Sequence, residues 1–83
     1  MGKYKELIQV ILNGRSDANI DFDELCHLMV RRGFEMRTRG SHHIFRRSGI
    51  EEKINLQKEG SAAKPYQVRQ VRNLILKYQL ERE

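Results

Sequence analysis

One stretch near the middle of the chain decides how it folds: Arg39-Gly40-Ser41-His42-His43-Ile44-Phe45-Arg46-Arg47. Its Gly40-Ser41 pair is typical of a tight turn, because glycine supplies a positive φ at no steric cost. The residues before this pair, Phe34 to Arg39, alternate between uncharged and charged types, which is the period of a half-buried strand. His42 to Arg47 then favour a second strand. The stretch therefore predicts a hairpin with two adjacent histidines at the start of its second strand.

A third strand is predicted directly after this hairpin. Ser48-Gly49 is another tight-turn pair, and Ile50 to Gln57 place Ile54 and Leu56 on the same face. The opposite face of that strand takes polar residues, namely Lys53, Asn55 and Gln57. The three strands form an antiparallel meander with one apolar face.

Three helices are predicted around the strands. The first covers Lys3 to Asn13, where apolar residues recur at helical spacing before Gly14. The second begins at Asp21, which has the capping-box spacing to Glu24. The third begins at Pro65, a residue suited to the first helical turn.

Together these elements predict an α+β fold in the order α-α-β-β-β-α. A three-stranded antiparallel sheet carries the helices on one face, and the other face is left to solvent. Residues 1–83 form a single domain, because a chain of 83 residues has no room for a second core. The open sheet face is then the largest surface available to a partner.

The composition restricts the kinds of partner and the cellular compartment that we expect for this protein. The net charge of +5 favours polyanions, and so small a domain can hardly enclose a small-molecule pocket. The single cysteine, Cys26, excludes an internal disulfide and a cysteine-based metal cluster, and is most simply a small core residue. With no apolar run long enough to span a membrane and no signal-peptide pattern, we expect a cytoplasmic protein without a membrane partner.

The histidines and the arginines around them suit chemistry at phosphates. Arginine donates bidentately to phosphate oxygens, and histidine is the side chain that gains and loses protons near pH 7. The alternative interpretation is a solvated polar face that keeps the protein soluble. Spacing alone does not separate the two.

Strand alternation alone also leaves two arrangements for the histidines. If Ile44 faces the helices, His42 shares its side and is half-buried at the rim of the sheet. With the opposite alternation, Phe45 and His43 are buried instead.

Four segments together resemble the HicA toxins of bacterial toxin–antitoxin systems. They are Gly33-Phe34 with the charged strand that follows, the run Gly40 to Phe45, the segment Ile54-Asn55-Leu56, and the helix start Lys64-Pro65 with Val68, Arg69 and Val71. The family core corresponds to residues 21–80, and residues 1–14 are an additional N-terminal helix.

This resemblance implies a fold like that of double-stranded-RNA-binding domains and an mRNA-cleaving activity that needs no metal or other cofactor. It also implies neutralisation by a cognate HicB-like antitoxin. The Gly-Ser-His run places the catalytic base at His42, with His43 as the second candidate. Members of the family often carry a further histidine after the third strand, near a proline. Here that segment is Gln57-Lys58-Glu59, which argues against an acid–base scheme with two histidines.

The candidate RNA-binding residues are the cations and turn residues around these strands and on the last helix: Arg37, Arg39, Gly40, Ser41, Arg46, Arg47, Lys58, Lys64, Arg69 and Arg72. Arg69 and Arg72 share one face of that helix, and could equally be ordinary solvated residues. Three hypotheses follow: an RNA-cleaving toxin that uses His42, a non-catalytic RNA-binding module of the same fold, or an interaction protein that docks an acidic partner.

Overall fold

The computed structural model describes residues 2–81, with side chains from residue 4 onwards. Its elements are α1 (Gly2–Asn13), a 3-10 turn (Asp17–Asn19), α2 (Phe22–Arg31), β1 (Glu35–Arg39), β2 (His42–Arg47), β3 (Ile50–Glu59), β4 (Ala62–Ala63) and α3 (Pro65–Tyr78). The predicted α+β class, with an antiparallel sheet and three α-helices, is confirmed.

The sheet has four strands in the order β1-β2-β3-β4, so the prediction of three strands is wrong. β3 runs to Glu59, and the chain then turns back so that Lys58 and Glu59 pair with Ala63 and Ala62. The short β4 is also tied to the start of α2, because the Ala63 amide donates to the carbonyl of Ile20 at 2.9 Å. Two alanines carry no periodic pattern, which is why the sequence predicts a loop here.

The helix ends lie where their local signals predict. The Glu24 amide donates to Asp21 Oδ2 at 3.0 Å, so Asp21 is the N-cap of α2. Pro65 occupies the first turn of α3. α1 ends at Asn13, before Gly14, whose φ of +74° is a left-handed conformation that favours glycine.

A single core lies between the helices and one face of the sheet. The sheet contributes Phe45, Ile54 and Leu56, which are at most 4 % exposed, and α3 contributes Val68 and Val71. Cys26 belongs to this core, and burial, followed by the negative charge of Asp23, raises the pKa of its thiol to about 11. Its predicted role as a core residue is confirmed.

The expectation that the first strand is half-buried is wrong. All residues of β1 are exposed, including Met36 at 45 %. Phe34 is buried, but it precedes the strand. β1 is the edge strand of the sheet, and its side chains are exposed on both faces. No helix of the described residues is long and apolar enough to cross a membrane.

Candidate functional site

The two adjacent histidines lie on opposite sides of the sheet. The buried Phe45 fixes the alternation of β2, so His43 faces the helices with it, and His42 and Ile44 face the other way. The His43 ring meets the Phe22 ring edge-on, with 4.9 Å between centroids and 80° between planes. The buried Nδ1 of His43 has no hydrogen-bond partner within the described residues. The arrangement in which His42 is half-buried beside the core is therefore wrong, and His42 is exposed.

The side of the sheet that carries His42 is called the open face here. Strand register aligns Arg39 with His42, and Arg37 with Ile44, across β1 and β2. The face holds Glu35, Arg37, Arg39, His42, Ile44, Arg46, Lys53, Asn55 and Gln57. A groove of about 540 Å³ runs along it and is lined by Arg37, Arg39, Ile44, Arg46 and Lys53 together with Glu35 and Thr38.

Positive charge dominates the open face. Among side chains of residues 4–81, Arg37, Arg39, Arg46 and Lys53 form no ion pair with a carboxylate. Glu35 lies at the end of the face away from His42, where the register places it opposite Arg46. The cations are therefore free to bind an anionic ligand.

The turn before β2 brings His42 to one end of the open face. Gly40 has a φ of +61°, which a hairpin turn with glycine at its first central position requires. Arg39 and His42 close the hairpin as a cross-strand pair. Directly opposite side chains in such a pair have Cβ atoms roughly 5 Å apart, so the Arg39 guanidinium can reach any group bound at His42.

His42 is held by a side chain of β3. Its Nδ1 lies 3.1 Å from Asn55 Oδ1. An amide oxygen can only accept a hydrogen bond, so in the neutral ring Nδ1 carries the proton and donates to Asn55. Nε2 is then the unprotonated nitrogen and is available as a base.

A second chain of hydrogen bonds lies next to His42. Gln57 is the cross-strand partner of His42 on β3. Its Nε2 donates to Ser41 Oγ at 3.3 Å, and its Oε1 accepts from Lys64 Nζ at 3.3 Å. The buried side chain of Gln67 accepts a hydrogen bond from the backbone amide of Gln57 at 2.8 Å and so anchors this part of β3 to α3. Gln57 thereby brings the Lys64 ammonium to the end of the sheet where His42 lies.

Two strand residues among the cations predicted to bind RNA, Arg47 and Lys58, lie off the open face. The Arg47 side chain packs over Gly33, at the end of β2 away from His42. Lys58 points to the helix side, where its Nζ lies 5.8 Å from the centroid of the Phe22 ring. The bulge between Phe45 and Arg47 and the alternation of β3 account for these positions.

The two arginines of α3 have different environments, although their spacing predicts a shared face. Arg72 forms an ion pair with Asp17, with Nη1 2.9 Å from Oδ1, and also donates to the carbonyl of Ile11 at 3.0 Å. It links α3 to α1 and the 3-10 turn, which favours a structural role, and its contact with RNA stays a prediction. Arg69 is exposed in the helix layer, away from the open face.

Asn55, Gln57 and Lys53 belong to the site, but they were not among the candidate residues predicted from the sequence. The period-2 pattern of β3 already placed them on the face opposite Ile54 and Leu56. The contact of Asn55 with His42 depends on the register between β2 and β3, which the sequence does not specify.

Comparison with known protein families, with curated proteins and with solved structures finds no match to this chain. The HicA resemblance is therefore carried by the motif residues alone.

Proposed function

We propose that this protein is the toxin of a HicA-like toxin–antitoxin pair, an endoribonuclease that cleaves mRNA without a metal ion and uses His42 as its base. The observation that carries the proposal is the position of His42: exposed, at the end of a cationic sheet face, and with its Nδ1 3.1 Å from Asn55 Oδ1, so that Nε2 is the nitrogen left for a ligand. The HicA resemblance in the Gly40-Ser41-His42 run supports the same residue.

The reaction is an attack of the RNA on its own phosphate. His42 Nε2 takes the proton of a ribose 2′-OH, and the 2′-oxygen forms a bond to the adjacent phosphorus. The bond from phosphorus to the 5′-oxygen breaks, and that oxygen takes a proton from water. The products are a 2′,3′-cyclic phosphate and a 5′-hydroxyl end. A well-placed general base contributes roughly 10²- to 10⁴-fold to such a rate.

Two cations are placed to stabilise the charge that develops on phosphorus. Arg39 is the cross-strand neighbour of His42, and Lys64 is held at the same end of the sheet through Gln57. Positive groups that are held in place next to the developing charge stabilise it more than mobile ions in water do. Arg37, Arg46 and Lys53 line the groove farther along and bind the backbone on one side of the cleaved bond.

A HicB-like antitoxin with an acidic surface is the protein partner in this proposal. An acidic surface of such a protein complements the cations of the open face and blocks access to His42. Protection of Arg37 and Arg39 from arginine-modifying reagents in the complex supports this site, whereas unchanged modification contradicts it.

The test is incubation of the purified protein with mixed RNA in excess EDTA, beside the variants His42→Ala and His43→Leu. His43→Leu is the matched control, because it changes the adjacent histidine and places an apolar side chain against Phe22. We expect cleavage by the wild type and by His43→Leu, with 2′,3′-cyclic phosphate ends, and none by His42→Ala. Cleavage that persists in His42→Ala would overturn the assignment of the base.

One observation favours a second function, a non-catalytic RNA-binding module. The residue opposite His42 on β3 is Gln57, and an amide does not act as a proton donor to a leaving group as an imidazolium does. This alternative predicts RNA binding that weakens steeply with salt and no breakdown of RNA by any of the three proteins. Absence of both binding and cleavage would instead favour a protein that docks an acidic partner.

A further inference from the structure

We propose that Asn55 is the positioning residue of the site, which fixes the orientation of the His42 ring and the nitrogen that carries its proton. The role rests on the proposed function, because it concerns the availability of Nε2 as the base.

Towards His42, Asn55 has a single role, which is to accept a hydrogen bond at its amide oxygen. The amide oxygen lies 3.1 Å from Nδ1, and the hydrogen bond at one ring nitrogen sets the protonation of the other. His42 is exposed, so packing alone leaves its ring free to rotate and to exchange between the two neutral tautomers. A bond at Nδ1 removes both freedoms and directs the lone pair of Nε2 away from the sheet.

Asn55 is itself held in place by the strand that carries it. It lies on β3 between Ile54 and Leu56, whose buried side chains anchor the strand to the core. It pairs with Ile44 in the register and is therefore the diagonal neighbour of His42. Both residues thus lie on paired strands, and side chains on strands are positioned more precisely than side chains on loops.

The charged groups around His42 determine how a variant of Asn55 affects the pH profile. Arg39 faces His42 from β1, and Lys64 approaches from the start of α3 through Gln57. Glu59 lies two residues beyond Gln57 on the same strand and is exposed. A carboxylate at position 55 would add a negative charge in direct contact with the ring, closer than any of these groups.

Three variants test the role by kinetics: Asn55→Ala, Asn55→Asp and, as a matched control, Asn73→Ala on the exposed surface of α3. For Asn55→Ala we expect kcat to fall about tenfold with an unchanged KM, because the base is misoriented and the phosphate contacts remain. Asn55→Asp retains an acceptor for Nδ1, so we expect most of kcat at high pH. The acid limb of its pH–rate profile moves to higher pH, because a carboxylate beside the ring favours the imidazolium. Asn73→Ala should leave kcat, KM and the pH–rate profile unchanged.

A measurement on the free protein separates this inference from the proposed function. Long-range ¹H–¹⁵N correlation spectra of the histidine rings distinguish the two neutral tautomers. We expect the Nδ1–H form of His42 in the wild type and a shift towards the Nε2–H form in Asn55→Ala. A wild-type protein that shows this tautomer but leaves RNA intact contradicts the nuclease function and not the contact. A wild-type kcat, pH profile and tautomer in Asn55→Ala would overturn the positioning role.

Discussion

His42 and His43 are adjacent in the chain, yet one donates to Asn55 on the open face and the other packs edge-on against Phe22 in the core. The alternation of β2, set by the buried Phe45, separates them. One histidine is thereby available to a ligand, and the other is half-buried against the hydrophobic core. Substitutions at the two positions should consequently affect different properties of the protein.

The first prediction concerns stability. We expect His43→Ala to lower the free energy of unfolding by about 1–2 kcal/mol, because it removes the aromatic contact with Phe22. His43→Leu places an apolar side chain against Phe22 and removes the unpartnered Nδ1, so its stability should equal or exceed that of the wild type. His42→Ala should change stability little. Urea denaturation of the three variants is the measurement, and a larger loss in His42→Ala than in His43→Ala would contradict the observed alternation.

The second prediction concerns the salt dependence of RNA binding. Arg37→Ala and Arg46→Ala each remove one cation from the groove on the open face. For single-stranded RNA, each lost phosphate contact should reduce the slope of log K against log salt by about 0.7. Arg69→Ala is the matched control, because it removes the same charge from the helix layer and should leave the slope unchanged. Equal effects of all three variants would show that net charge, and not the open face, determines binding.

The third prediction concerns Arg72, which is assigned a structural role. Arg72→Met removes the bonds to Asp17 and to the Ile11 carbonyl, and we expect the free energy of unfolding to fall by about 1–3 kcal/mol. RNA affinity of the folded protein should change no more than it does in Arg69→Met. Thermal denaturation and RNA titration of the two variants provide the comparison. A stable Arg72→Met variant with strongly weakened binding would instead place Arg72 in the interface.

The fourth prediction concerns acid stability. The pKa of Glu52 is lowered from 4.5 to about 2, chiefly by the hydrogen bond from Lys77 at 2.7 Å and then by that from the Tyr78 hydroxyl at 2.6 Å. Because the pKa is lower in the folded state, the carboxylate stabilises the fold above pH 4.5, and this contribution is lost as the pH falls towards 2.

The measurement is the free energy of unfolding of the wild type and of Glu52→Gln between pH 2 and pH 6. We expect the difference in the free energy of unfolding between the two proteins to grow as the pH rises from 2 to 4.5 and then to stay constant. Glu51→Gln, which alters an exposed neighbour without these bonds, is the control. A difference independent of pH would exclude the ionised Glu52 as the source of stability.

The sequence predicts those parts of the fold whose signals are local. Asp21 caps α2 through an amide three residues away, and Pro65 opens α3 because its own ring suits that position. The faces of Ile54 and Leu56 follow from the period of their own strand. Each of these features is determined within one turn or one strand, and each is confirmed.

The features that the sequence leaves open or predicts wrongly depend on distant partners. The role of Arg72 depends on Asp17, which is far from it in the chain but close in the fold. The exposure of Met36 depends on how far the core extends under the sheet, and β4 depends on a hydrogen bond to Ile20. The contact between His42 and Asn55 depends on the register between two strands. Such relationships have no periodic signature in one sequence.

The edge strand β1 is held by its backbone ladder to β2 and buries none of its side chains. Packing therefore places almost no restriction on which amino acids occupy Glu35 to Arg39. Substitutions there should alter the charge and shape of the groove while costing little free energy of unfolding, so that ligand preference can diversify in this segment independently of the scaffold.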